Sequence, residues 1–434
     1  MTRTQLAFCL LALTPLSATA QTPSLAGDWL VSANYLGTPV YYRLNIEQTG
    51  DKLTATAHGY KFEGTVNGSA FHLFAKDEQN NTDELTGTVA DGTLQATDTE
   101  TDADNKAHPV TLKITATFVP ALAHPTPQRH EFTPTVFYRQ ISALNKPVLT
   151  VNPGDTIHTA TVDAGGNDLN GVTRSLGGNP QTGPFFVTGA MPGDVLVVHI
   201  KKLTLNRDWA GSDDFLDERA MNSSLAVKMK DGGKGIRWRL DRAAGTATPE
   251  KPSEHLKHYT IPLKPMLGCI SAAPGPAQAP PGSGDSGGYG GNMDFNEITE
   301  GATVYLRVSS PGALLYFGDG HAAQGDGELN GNALETSMDV ELTVDVIPNK
   351  RIGGPRIENA THIIAMGLDG GLDDAFKGAT NDMATWLEED YKLTPSEVAQ
   401  VLGTAAEYHV SEVADRNAGI VLKISKARLA TLTK

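Results

Sequence analysis

The sequence predicts a β-dominated α+β protein: a β-sandwich-like body with C-terminal helices, preceded by a small antiparallel β-barrel or sandwich. Three observations carry this. Residues 338–346 alternate Met338, Val340, Leu342, Val344 and Val346 with Asp339, Glu341, Thr343 and Asp345, the period of two that buries one strand face and wets the other. Residues 25–118 hold short alternating stretches separated by turn signals at Gly50-Asp51, Asn67-Gly68 and Asp91-Gly92, a spacing of about ten residues that suits a small antiparallel domain. Helical patterns appear only late, so strands and helices segregate instead of alternating, which argues against a doubly wound nucleotide-binding fold.

The chain begins with a basic Met1-Thr-Arg-Thr, an apolar stretch from Leu6 to Leu13 and Ala18-Thr-Ala20, the three regions of a secretory signal peptide. Residues 1–20 are therefore expected to be removed, leaving a periplasmic or secreted protein with one cysteine, Cys269, and no internal disulfide. The apolar stretch is too short to span a membrane. With 434 residues, 39% hydrophobic and 20% charged, the chain has room for a sizeable core. A formal net charge of -15 argues against nucleic acid and anionic membranes as partners and leaves small neutral or cationic molecules.

Residues 21–120 form the first, all-β domain. Its opening, Leu25-Ala-Gly-Asp-Trp29, resembles the Gly-x-Trp strand of lipocalin- and avidin-like barrels, and an interior filled by its own side chains is expected of so small a barrel. Residues 121–134 are rich in proline and read as a linker. The block from 135 to 434 follows, with strands at 194–200, 303–308, 338–346 and 419–425. Helical spacing covers 372–391, and Thr394-Pro-Ser-Glu397 is a capping box with proline at the first helical position, opening a second helix towards His409. Residues 274–291 are almost all Gly, Pro, Ser and Ala and read as a mobile loop of the kind that covers a site.

Within that loop, Gly284-Asp-Ser-Gly-Gly288 matches the nucleophile signature of trypsin-like proteases, but a Gly/Pro-rich loop is a poor scaffold for the base that serine catalysis needs, so Ser286 reads as a chance match. His255 and His258 lie in a connector flanked by lysines and prolines and read as solvated. Cys269, between Leu267 and Ile270, reads as a small buried hydrophobe. Three other features converge: residues 156–166 with His158 and Asp163; Gly290-Gly-Asn-Met-Asp294; and Gly318-Asp-Gly-His-Ala-Ala-Gln-Gly-Asp-Gly-Glu328, followed by Glu335. In extended chain, residues two apart share a side, which pairs Asp319 with His321 and Asp326 with Glu328. So many carboxylates need protons, cations or solvent. Oxygen ligands mixed with imidazole suit zinc or another first-row metal, all-oxygen ligation suits calcium, and a structural calcium loop or a solvated turn is the plainer alternative.

The segment Pro265-Met-Leu-Gly-Cys-Ile-Ser-Ala-Ala-Pro274, the Gly290–Asp294 segment, the run from Gly312 to Glu328 and Ala333-Leu-Glu335 together resemble the acetamidase/formamidase family, as does Thr182-Gly-Pro-Phe-Phe-Val-Thr-Gly-Ala-Met-Pro-Gly-Asp194. The resemblance covers the chain from about residue 130 onward, making 135–434 the acetamidase/formamidase-like catalytic domain, and leaves residues 21–120 outside it. It implies hydrolysis of the C–N bond of a small linear amide to a carboxylate and ammonia, a bound zinc in some relatives and a homo-oligomeric β-rich scaffold. The region from His158 to Asn179 departs from the family's usual form. A metal polarises a neutral amide and a carboxylate carries the proton from water to the departing amine. On that chemistry His158, Asp294, Asp319 and His321 are candidate metal ligands, with zinc expected and calcium an alternative. Glu335 is the first choice for general base and acid, Asp326 and Glu328 are its supports or competitors, and Asn292 and Gln324 are candidates to hold the substrate amide. The rival from another class is a periplasmic ligand-binding or scaffold protein with a structural metal loop and no turnover.

Overall fold

The computed structural model describes residues 24–57, 59–229 and 232–433; the expected signal peptide lies outside them. The chain divides into two compact units, Asn45–Thr117 forming the bulk of one and the chain from Phe118 onward the bulk of the other.

Eight antiparallel strands close into a barrel: β1 (Gly27–Tyr35), β2 (Thr38–Thr49), β3 (Lys52–Ala57), β4 (Tyr60–Asn67), β5 (Ala70–Lys76), β6 (Thr82–Ala90), β7 (Thr93–Thr101) and β8 (Val110–Val119). Closure removes the exposed edges that an open sheet would present. That closure resolves the expected barrel or sandwich in favour of the barrel. Trp29, Leu44, Ile46, Phe62 and Leu73 point inward, each at most 2% exposed. Two inward positions are acids, Asp83 on β6 and Asp98 on β7.

The larger unit holds an 11-stranded and a 9-stranded sheet. The strand Met338–Ile347 alternates buried and part-exposed residues along its whole length and sits between Val195–Leu205 and Thr156–Ala160. Its Val340, Leu342 and Val344 share one buried cluster with Leu267, Ile270, Leu315 and Phe317 of the other sheet, so a single core forms between the two, as a sandwich requires. The helix Leu372–Tyr391 covers the 9-stranded sheet from outside, burying Ala375, Ala379, Met383 and Leu387 against Ile363, Ala365, Leu422 and Ile424. Thr394 caps the helix Pro395–Ala405 in the reciprocal arrangement with Glu397.

Three stretches differ from their expected form. Within the proline-rich stretch, Arg129–Glu131 forms an edge strand beside Thr156–Ala160, since edge strands tolerate nearby proline. The second helix stops at Ala405, and His409 lies on a strand, Glu407–Glu412, paired with Ala418–Ser425. The end of the Gly/Pro-rich loop, expected to be mobile, folds into a hairpin, Ser286–Gly287 against Gly290–Asn292, whose Tyr289 packs with Ile141, Leu314 and Tyr316. Gly290 (φ 87°) makes this possible: a Cβ there would come 2.3 Å from the Ile270 carbonyl oxygen. Among the described residues no helix is long and apolar enough to cross a membrane.

Candidate active site

The site is built on Leu315–His321, a strand buried at every residue. It lies between Met266–Ala272 and Glu335–Thr336, and the register sets His321 directly opposite Glu335. Directly opposed residues project to one face, so the imidazole and the glutamate carboxylate meet. Asp319 departs from strand geometry with φ 56°. Its carboxylate faces Gly268 of the neighbouring strand, as does that of Asp294: a Cβ on Gly268 would come 2.6 Å from Asp319 Oδ2 and 2.3 Å from Asp294 Oδ1. The absent side chain is the space that the two acids share. Asp294 (φ 39°), Glu328 (φ 43°) and Asn179 (φ 50°) also hold left-handed backbone, which is unfavourable for non-glycine residues and persists only where the surroundings enforce it.

His321 is the centre. Its Nδ1 is 2.9 Å from Gln324 Oε1, an oxygen that accepts only, so Nδ1 carries a proton. Nε2 is left among Glu335 Oε1 at 3.0 Å, Asp319 Oδ1 at 3.5 Å and Glu328 Oε1 at 4.0 Å, and Asp294 Oδ1 lies 3.9 Å from Nδ1. Asp294 Oδ1, Asp319 Oδ1 and Glu335 Oε2 are buried without a hydrogen-bond partner among the described residues. Two overlapping sets, Asp294-His321-Glu328 and Asp319-His321-Glu335, bring their ligand atoms within 4.8 Å of one another.

The electrostatics follow from burial and crowding. Burial first, then the neighbouring charges of His321 and the other acids, leave Glu335 raised to about 7 and Glu328 to about 8. Burial, Glu328 and Asp319 hold Asp294 well above the usual carboxylate range. Burial alone would lower His321, but Glu335 and Asp319 outweigh it and raise the imidazole well above its ordinary value. Burial and the acids Asp319 and Asp294 push the Cys269 thiol well up, which keeps it protonated and supports its reading as a packing residue. Ser286 Oγ is buried with no hydrogen-bond partner among the described residues, so nothing there activates it.

Of the expected residues, Asp294, Asp319, His321, Glu328 and Glu335 come together. His158 does not: it lies on the 9-stranded sheet, 37% exposed at its side chain, with Nδ1 against Glu131. Alternation fixes the side of a strand but not the sheet to which the strand belongs. Asp326 is also outside the cluster, half-exposed and paired with His409 at 2.9 Å, because the chain turns after His321 and the expected partnership with Glu328 breaks. Asn292 and Gln324 are present, with their amides already committed. Asn292 donates to Asp294 (2.5 Å) and Asp415 (2.6 Å) and accepts from Asn179 (2.9 Å), while Gln324 donates to the Asp294 carbonyl (2.5 Å). They orient the acids and do not stand free to hold a substrate.

Four contributors escaped the sequence reading. Asn179 also donates to Asp319 Oδ2 at 3.2 Å. Glu412 ends the strand Glu407–Glu412 and Asp415 lies in the turn that follows it. Burial, then Asp415, raises Glu412 to about 9; burial raises Asp415 to about 6. Arg207, buried and paired with Asp163 at 2.7 Å, donates to the Glu335 carbonyl at 3.2 Å and to Thr336 Oγ1 at 3.0 Å, fixing the backbone that presents Glu335. The departure of the 158–179 region from the family's form was the one signal pointing to Asn179.

Residues 285–368, which hold the hairpin, His321 and Glu335, match the model of the Acetamidase/Formamidase family. A Schizosaccharomyces pombe protein that carries a formamidase name is 28% identical over 217 residues, 39% of this chain and 52% of that relative, so the chain spans about half of its length. The crystal structure of an acetamidase from Yersinia enterocolitica is similar with a TM-score of 0.61 and 28% identity, over 72% of this chain and 96% of that one. An acetamidase from Bacillus halodurans is similar with a TM-score of 0.59 and 27% identity, over 70% of this chain and 100% of that one. Motif and fold agree: residues 285–368 match the acetamidase/formamidase family model, and the chain is similar in fold to solved acetamidases over most of their length.

Proposed function

We propose that this chain hydrolyses the C–N bond of a small linear amide, formamide- or acetamide-like, to a carboxylate and ammonia, with a divalent metal and in a periplasmic or secreted setting as a homo-oligomer. The observation that carries the reading is His321: its Nδ1 proton is held by Gln324 while Nε2 is surrounded by carboxylate oxygens. A lone pair facing acids is stable only with a positive charge between them, a proton or a cation.

The residues fit a metal by this test. Asp294, His321 and Glu328, with Asp319 beside them, would hold it, and a set that mixes imidazole with carboxylate oxygens favours zinc. When bound, the ion supplies a positive charge that polarises the amide carbonyl. The chain's own residues supply the rest. Glu335, whose Oε2 is buried and unpartnered, accepts a proton from the attacking water and returns it to the departing nitrogen, a task suited to a carboxyl poised near neutrality. Gln324 holds the His321 ring, Asn292 and Asn179 hold Asp294 and Asp319, and Arg207 holds the strand of Glu335. Burial excludes bulk water and strengthens each interaction.

The test is ammonia release from formamide, acetamide and larger amides by the purified chain, before and after chelation. Turnover lost on chelation and restored by zinc supports the reading. No release from any amide by metal-loaded, folded protein would overturn it.

A further inference from the structure

A cavity of about 130 Å³ is walled by the 9-stranded sheet and the helix Leu372–Tyr391, and shares no residue with the carboxylate cluster. Val195, Ile347 and Ile352 supply apolar wall, and the Trp386 ring lies 4.8 Å from Arg356 Cζ. Arg356 is the most buried polar residue of this wall, 2% exposed. Its Nε and Nη2 are committed to Asp382, at 2.7 and 3.1 Å, and Asp382 does not line the cavity. A guanidinium is planar, so the third nitrogen, Nη1, projects away from that paired edge. Nη1 is buried and has no hydrogen-bond partner among the described residues. A buried donor left unmade is costly, and this one belongs to the cavity wall.

The charges around the cavity are matched in pairs: Arg356 with Asp382, Lys350 with Asp390 at 2.8 Å, and Glu358 with Lys426 at 3.6 Å. No surplus charge is left among these residues to hold an ion. An entering carboxylate would meet Glu358 and Asp390, and an ammonium would meet Lys350 and Arg356. What the wall lacks is an acceptor for Arg356 Nη1. What it offers in return is the carboxylate oxygens of Glu358 and Asp390, each able to accept more than one hydrogen bond. The space is smaller than the roughly 300–1,000 Å³ of sites for drug-sized molecules, so its occupant has few heavy atoms.

We propose that this cavity binds a small neutral molecule that joins a carbonyl oxygen to an N–H group, a primary amide or a urea, at a site separate from the carboxylate cluster. The carbonyl oxygen accepts from Arg356 Nη1, the N–H group donates to Glu358 or Asp390, and the apolar remainder lies against Trp386 and Ile352. This class coincides with the amides proposed as substrate, but the inference stands on the cavity and does not rest on their turnover.

Fluorine NMR of the purified chain carrying fluorotryptophan reads the site directly, with the Trp386 resonance assigned by its loss in Trp386→Phe. Acetamide, its anionic analogue acetate and its N–H-free analogue acetone are titrated into the parent and into Glu335→Gln, which alters the cluster and not this cavity. A saturable shift of the Trp386 resonance is expected with acetamide, equal in both proteins and of millimolar affinity, as so few heavy atoms allow. Acetate and acetone are expected to bind about tenfold more weakly, each lacking the N–H that meets a carboxylate. Arg356→Lys, which removes Nη1, is expected to weaken acetamide binding about tenfold. Ile347→Phe, a part-buried change that fills the cavity, is expected to abolish the shift, and it decides alone if Arg356→Lys does not fold. A Trp386 resonance that acetamide leaves in place, a shift as strong with acetate, a shift lost in Glu335→Gln, or one that survives Ile347→Phe would overturn the proposal.

Discussion

The barrel and the larger unit both bury acids, and they do so differently. In the barrel Asp83 neighbours Asp98 and Glu100 on the adjacent strand, with Asp98 buried beside it in a largely apolar interior; burial first, then Asp98, raises it to about 8. In the larger unit, acids surround a histidine, are steered by asparagine and glutamine amides, and stand on left-handed backbone. The barrel pair resolves its repulsion with a proton. The cluster gathers Asp294 Oδ1, Asp319 Oδ1 and Glu335 Oε2 about one imidazole, with Glu412 Oε1 near Glu328, each without a hydrogen-bond partner among the described residues. That convergence on a histidine separates a site from a polar defect in a core.

The largest expected effect is at the cluster. Glu335→Gln keeps shape and removes the titrating group, so ammonia release should fall by roughly 10²–10⁴-fold with the fold intact; near-normal turnover would remove Glu335 from its proposed role. Next is Arg207→Met, which leaves Asp163 buried without its cation and should cost about 3–5 kcal/mol in denaturant unfolding, together with a loss of kcat that Arg207→Lys partly rescues.

The third prediction concerns the barrel. Between the ordinary 3.8 and about 8, folded Asp83 holds a proton that the unfolded chain has released. The folded state then binds more protons, and stability falls as pH rises through that window. Asp83→Asn should flatten this slope, raise the melting midpoint of the barrel at neutral pH and leave ammonia release unchanged; a parent barrel equally stable at pH 5 and pH 8 would contradict it. The smallest effect is expected at Asp326→Asn, an exposed partner of His409, with stability changing by less than about 1 kcal/mol and turnover by less than about twofold. A large loss of turnover there would place Asp326 in the chemistry after all.

The barrel and the strand Met338–Ile347 were legible because one buried and one wet face write themselves as a period of two. The helix cap at Thr394 was legible because its hydrogen bonds are local. The cluster was legible where the chain brings its own acids together, at Asp319, His321, Glu328 and Glu335. Glu412 and Asp415 were not, since they arrive through a bridge between Gly327 and Glu412, residues distant in sequence. His158 was misplaced for the same reason in reverse: it is near in pattern and remote in space.

Gly268 offers no side-chain donor, acceptor or charge, so a search for functional positions by chemical type passes over it. Yet its missing Cβ is what lets Asp294 and Asp319 face a common space. Any side chain there is a plug, and even Gly268→Ala would close the site from beneath while leaving every acid and the histidine in the sequence. The capacity of this centre is thus written partly in a vacancy of the covalent chain, which evolution can fill in one step and an inventory of reactive groups does not register.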